Sequence, residues 1–266
     1  MPSSVGTVAF RGCVVFGAAP AWNRVEFDAT ADGARETLLH RTGGRMRIID
    51  LTVPIGADTY SPPSVNLPIS VEVHHKEPGY WQASSVQMGL HSGSHVDFSL
   101  HYRADGESAE QVPLERACGQ ALLLDLGVLD AGHVISAADL QRADPGLAVG
   151  DIALVRTGWT DRSWGRFPDY YLGSPSCSPE AAEWLISRGC RAAGFDCFPE
   201  ASAKKASYLP EEFVVHHIIG EGGALLLQQL TNLDALPRAT RFPFYAAFLK
   251  FTGAEGVPAR FFATID

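Results

Sequence analysis

The sequence predicts a mixed α/β fold in a single compact domain, and three observations carry that prediction. Short apolar or alternating runs bounded by Gly, Pro or Asp recur along the chain, as strands do. Two further stretches carry helix start signals. No internal repeat or low-complexity tract breaks the mixture, so strands and helices belong to one α/β architecture.

Taken in order, residues 1–45 stand apart. The run VGTVAFRGCVVFGAAPAW gives way to the polar FDATADGARETLLHRTGGR, with poor periodicity. Two expectations compete for it: an N-terminal extension that orders only in part, or a start assigned too far upstream. Met46 opens MRIIDLTVPIG, a strand running into a loop at Pro54 and Gly56, and residues 46–266 are expected to form the domain. VEVHH (71–75), SSVQMGL (84–90), ALLLDL (121–126) and DIALVRTG (151–158) read as strands. Ser136 before AADLQRA and Ser178 before PEAAEWLISRG read as helix N-caps. The second helix has Pro179 at its first position, Glu180 and Glu183 near the positive end of its dipole, and Gly189 just past its end. CRAAGFDCF then returns to strand. FVVHHIIGEGG reads as a strand-like apolar run followed by a glycine-rich turn and LLLQQL.

Composition narrows the function. With 46% hydrophobic residues, 19% charged and a formal net charge of −9, the chain is globular and acidic. That balance argues against nucleic acid or an anionic membrane as partner, since both select clustered Lys and Arg. The expected partner is a small molecule or another copy of the chain. Five widely spaced cysteines without a CxxC pair suggest neither a disulfide framework nor a thiolate zinc site, and fit a reducing cytoplasm. No run approaches the roughly 20 apolar residues needed to span a bilayer. Residues 5–16 are interrupted by Arg11 and lack the marks of an export signal. No GxSxG elbow, P-loop or GxGxxG motif is present.

Chemistry concentrates in LHSGSHVDFSLHY, residues 90–102, where His91, His95, Asp97 and His101 fall within eleven positions. Imidazole and carboxylate together suit zinc, manganese or iron(II) rather than magnesium or calcium. If Gly93 lets the chain turn tightly, and His95 and Asp97 share one face of an extended segment, His91, His95 and Asp97 converge on one ion. His101 is then free to act as a general base or acid. A single histidine is more often structural than functional, and the pair His74 and His75 reads as strand or surface. His40 and His133 are unassigned. His216 and His217 could complete the metal site or bind substrate, against the plain alternative of partly buried histidines. Trp81, Tyr80 and Phe98 are aromatic candidates for a substrate pocket, each with core packing as the alternative.

Together these segments resemble the cyclase family of metal-dependent hydrolases, which includes bacterial kynurenine formamidase and isatin hydrolase. The family signature HxGTHxDxPxHF is met by His91, Gly93, Ser94, His95, Asp97, His101 and Tyr102 in register. MRIIDLT (46–52), VPLERACG (112–119), GDIALVRTGW (150–159), RAAGFD (191–196), LTNLDALP (230–237) and VPARFFATI (257–265) agree with its usual run, so the resemblance spans Met46 onward. It implies a mixed, β-barrel-like or swivelling sheet core flanked by helices, assembled as a homodimer or homotetramer. It further implies His91, His95 and Asp97 as ligands, His101 as catalytic base, and His216 as a further ligand or site-lining residue.

Three departures matter. Ser94 replaces the signature threonine and keeps its hydroxyl. Ser99 replaces a proline, so the backbone before His101 loses a fixed φ. Gln228 stands where the formamidases carry a glutamate bridging two zinc ions. With Gln228 neutral, Asp97 is the one anionic ligand expected, and two divalent ions would be poorly compensated. The expectation is one divalent ion, Zn2+ or Mn2+, with the Gln228 amide oxygen as a further donor. Glu221 is a weaker alternative source of carboxylate. The implied reaction is hydrolysis of an amide, formamide or lactam bond in a small aromatic substrate. Aromatic polyketide ring closure and a metal-binding protein without catalysis are the alternatives.

Overall fold

Residues 46–63, 67–205 and 207–266 are described by the computed structural model. The expectations for residues 1–45, with Cys13 and His40, fall outside the described residues. The chain enters as β1 (Arg47–Asp50), forms a hairpin of β2 (Ser70–His75) and β3 (Gln82–Gln87), and reaches the short β4 (His95–Asp97). β5 (Cys118–Asp125) leads through β6 (Val134–Ile135) to α1 (Ala137–Ala143). β7 (Ile152–Arg156) is followed by α2 (Trp159–Ser163), α3 (Asp169–Leu172) and β8 (Ser176–Cys177). Then come α4 (Pro179–Ser187), β9 (Ala192–Phe195), α5 (Val214–Glu221) and β10 (Leu225–Gln228). β11 (Phe242–Phe248) and β12 (Gly256–Ile265) complete the order.

Seven strands pair in the order β12-β11-β5-β7-β9-β10-β4, and β4 returns to β12, so the sheet closes into a mixed barrel. β5, β7, β9 and β10 run parallel; the other pairings of the ring are antiparallel. β12 is long enough to serve two neighbours on one edge: Gly256–Pro258 pair with β4, and Phe262–Ile265 pair with β1.

The apolar runs in β5 and β7 are continuous because both faces of these parallel strands are covered. Leu123 and Leu154 point into the barrel with Val96, Leu227, Phe244 and Phe261. Leu122, Leu124 and Val155 point outward, under a layer built from Tyr170, Tyr171, Leu185 and Ile219. Both expected N-caps form. Ser136 Oγ accepts from Asp139 N at 3.2 Å while the Asp139 carboxylate accepts from Ser136 N at 2.9 Å, and Ser178 Oγ accepts from Ala181 N at 3.2 Å.

One element differs from its expectation. The run at 213–219 is helical, and α5 buries Val215, His216 and Ile219 on one side. Val215 and Ile219 are four apart, the helical spacing, but over so short an apolar run the strand and helix periods are hard to separate.

Candidate metal centre

The site forms where β4 turns its outer face towards α5. Gly93 has φ +66, and a Cβ there would lie 2.5 Å from Ile55, so the tight turn before β4 requires glycine. Ser94 fixes the turn: its hydroxyl accepts from Val53 N at 3.0 Å and donates to Gln229 O at 2.7 Å, so the hydroxyl kept in place of threonine has a definite use. Val96 faces the barrel interior, and strand alternation therefore sends His95 and Asp97 to the other side. Gln228 lies opposite His95 in the β10–β4 register, and its Nε2 donates to Asp97 Oδ2 at 2.6 Å. Gly256, opposite Asp97, leaves the space that His91 fills; a Cβ there would come within 2.4 Å of the imidazole. His216 reaches the cluster from α5, with Nε2 3.5 Å from Asp97 Oδ2 and 3.1 Å from Gln228 Nε2.

Asp97 is 3% exposed and faces three imidazoles. Burial alone would raise its carboxyl, but His95, His216 and His91 hold it well below the usual carboxylate range. Burial opposes charge on His91 and His216, yet Asp97 and Glu255 raise His91 to about 9, and Asp97 and Glu200 raise His216 to about 9. Without a cation, the buried carboxylates are thus balanced by protons on the rings.

The donor set fits a divalent ion. His95 Nδ1 lies 2.7 Å from Gly93 O, which fixes its proton there and leaves Nε2 bare beside Asp97 Oδ1 at 3.2 Å. His95 Nε2 and Gln228 Oε1 are buried and make no hydrogen bond, although buried polar atoms are rarely left so, and His91 Nε2 is buried with Glu255 Oε1 3.4 Å away as its nearest acidic partner. His91, Asp97 and His101 each place a donor atom within 4.8 Å of the others. An ion among these atoms would balance the charge of Asp97, take the place of the ring protons and satisfy the lone pairs then freed.

His101 follows on a single 3-10 turn, Ser99–His101. Ser99 does here what a fixed proline φ would do by other means: its hydroxyl accepts from Glu107 N at 2.7 Å, and its carbonyl accepts from Arg103 N at 2.9 Å. The His101 ring stacks on His91 with centroids 4.1 Å apart. Burial lowers it to about 4, so it is neutral near pH 7 and able to take a proton. This placement serves a ligand or a base.

A cavity of about 520 Å3 opens over the cluster, lined at its base by His91, His95, His101, His216 and Gln228 and on its walls by Phe198, Tyr208 and Phe213. Of the substrate-binding candidates, His217 lines this cavity beside Tyr102, with ring centroids 5.6 Å apart. Phe98 does not reach it. One strand step past Asp97, it turns inward, is fully buried and packs on Phe248 at 5.1 Å. Trp81 and Tyr80 lie at the tip of the β2–β3 hairpin, 69% and 83% exposed, and do not line the cavity. Glu221 is exposed at the end of α5, 3.3 Å from His217, and stays outside the cluster. Sequence reasoning passed over Glu200 and Glu255, which stand outside any patterned segment, and over Phe198 and Phe213, which stand in runs read only as strands.

The family model described as "Putative cyclase" matches residues 49–199. The chain belongs to the cyclase family. Kynurenine formamidase of Bacillus cytotoxicus is 26% identical to this cyclase-family chain over 214 residues, which are 80% of this chain and 94% of that one. Among solved structures, an isatin hydrolase bound to the product analogue thioisatinate superposes with a TM-score of 0.71 at 23% identity, covering 83% of this chain and 92% of that one. Isatin hydrolase A from Labrenzia aggregata, bound to benzyl benzoate, gives 0.69 at 25% identity, covering 83% and 94%. The barrel is therefore the fold of the isatin hydrolases, as the signature at residues 91–102 leads one to expect. Among the described residues, no helix is long and apolar enough to cross a membrane.

Proposed function

We propose that this cyclase-family chain is a metal-dependent hydrolase that opens an amide, formamide or lactam C–N bond in a small aromatic substrate, using one divalent ion, Zn2+ or Mn2+. The observation that carries this reading is the convergence of bare buried donors on His91, His95 and Gln228 around Asp97, at the base of an aromatic-walled cavity. His91, His95 and Asp97 would hold the ion, with His216 and Gln228 as further residues of the site. The bound ion supplies Lewis-acid polarisation of the substrate carbonyl and makes water more acidic.

The remaining steps belong to the protein. Phe198, Tyr208 and Phe213 take the face of a planar substrate and keep bulk water from its carbonyl carbon. His101, neutral and at the base of the cavity, accepts a proton from the attacking water as the new C–O bond forms. The same ring then returns that proton to the nitrogen as the C–N bond breaks, which leaves an amine and a carboxylic acid whose own proton passes to solvent at neutral pH. A single ion, rather than two, follows from Gln228: a neutral amide stands beside Asp97 where a glutamate would add a carboxylate, and the other carboxylates at these rings are Glu255, 3.4 Å from His91 Nε2, and Glu200, on the Nδ1 side of His216.

The working unit in this reading is a homodimer or homotetramer. It is supported by the hairpin, whose Val71, Val73, Trp81 and Val86 are exposed and whose two strands pair with nothing else among the described residues. Light scattering of the purified protein checks it, and a monomer at micromolar concentration contradicts it.

Activity is tested with metal-loaded protein on formanilide and on isatin. Turnover of either, lost in His101→Ala with the ion still bound, is the expected result. No turnover of either by fully loaded protein contradicts the reading.

A further inference from the structure

The helix that brings His216 to the metal centre begins without a cap of its own. Phe213, at its N-cap position, offers no side-chain acceptor, and the first turn of α5 holds no acidic residue. The acceptor comes from the loop after β9. Glu200, 3% exposed, sets one oxygen, Oε2, 3.0 Å from Val215 N and 3.4 Å from His216 N. Capping alone does not account for a buried carboxylate, because a solvated Ser or Asp caps a helix without the desolvation. The same Oε2 lies 3.0 Å from His216 Nδ1.

That third contact decides which ring nitrogen keeps a proton once an ion displaces the other. A histidine that donates Nδ1–H to a carboxylate presents a bare lone pair at Nε2. His216 Nε2 faces the site, 3.1 Å from Gln228 Nε2. The Gln228 amide fits one way round: its nitrogen lies 2.6 Å from Asp97 Oδ2, where an oxygen would set two acceptors against each other. One amide hydrogen therefore goes to Asp97, and the nitrogen's other hydrogen can meet the bare His216 Nε2. Gln228 Oε1, which makes no hydrogen bond, is left as a donor for the ion.

We propose that Glu200 is a positioning residue for the metal centre, fixing His216 with its proton on Nδ1 and its Nε2 lone pair turned to the Gln228 amide. Its carboxylate also lends the site negative charge from one residue further out, where Gln228 supplies none. The proposal rests on the metal reading above, but on no particular substrate.

Two variants test it. Glu200→Gln keeps an acceptor oxygen and the side-chain volume while removing the charge, and Glu200→Ala removes both. Affinity for Zn2+ and for Mn2+ is read by competition with a chromophoric chelator, and the His216 tautomer from 15N shifts of histidine-labelled, Zn2+-loaded protein. The expected result is an affinity lower by about 10- to 100-fold in both variants, with a Nδ1–H pattern for His216 in the wild type that is lost in Glu200→Ala. Wild-type affinity in Glu200→Gln, or an Nε2–H pattern in the wild type, overturns the proposal and leaves the metal reading standing. A folded Glu200→Ala variant that melts earlier yet binds both ions as the wild type does makes Glu200 a helix cap only. Wild-type protein that takes up no ion overturns both.

Discussion

At the scale of single residues, the centre is governed by how few charges it holds. Asp97 is the carboxylate that faces three of the rings, Glu255 and Glu200 each touch one, and Gln228 occupies a position from which a glutamate would add another beside Asp97. Gln228→Glu is expected to raise the metal content from one ion per chain to two, read by elemental analysis; a ratio that stays at one would show that charge does not set the count. Protonation gives a second test. In ion-free protein, His91 and His216 are raised from 6.5 to about 9. Their contribution to stability is thus fully present below pH 6.5 and is lost as pH rises through 9. A divalent ion competes with those protons, so its affinity climbs across the same window, and calorimetry at pH 7.5 in buffers of differing ionisation heat should register proton release. Uptake without proton release contradicts the assignment. The ligand-type residues were legible because four of them crowd one segment around a glycine. Glu200 was not, since a lone carboxylate sixteen positions before His216 carries no pattern. Phe98 misled for a simple reason: in a strand, the neighbour of a site residue faces away from the site.

At the scale of elements, helix starts were the most readable features. Ser136 and Ser178 each cap a helix through a local hydrogen bond, and local chemistry is what a sequence displays. α5 was read as a strand because its apolar run is short, and its helical form depends on packing against β10 and on the distant Glu200. The approach of β12 to β4 was equally hidden, although the site needs it. Gly256→Ala would put a methyl group within 2.4 Å of the His91 ring. The expected outcome is loss of metal affinity by at least about tenfold, the scale of a displaced ligand or its support. It would be measured by chelator competition on protein whose circular dichroism matches the wild type. Unchanged affinity would mean that the ring position does not matter to the ion.

At the scale of the whole molecule, the mixed α/β class was readable from alternating runs and capped helices, whereas closure of the barrel was not. Closure rests on pairing Asp97 with Gly256 and Val96 with Val257, contacts between distant segments with no local mark. The same closure builds the interior on which the outward-facing site stands. Leu123, fully buried inside it, tests that support: Leu123→Ala should lower stability by about 2–5 kcal/mol in a denaturant melt while leaving one ion per folded chain. A variant with intact stability would place Leu123 outside a packed interior. The central claim, that Asp97 anchors a single divalent ion, is tested most directly by the metal-to-chain ratio of the purified protein beside that of Asp97→Ala. The account predicts one ion per chain in the wild type and none in the variant; equal metal content in the two would contradict it.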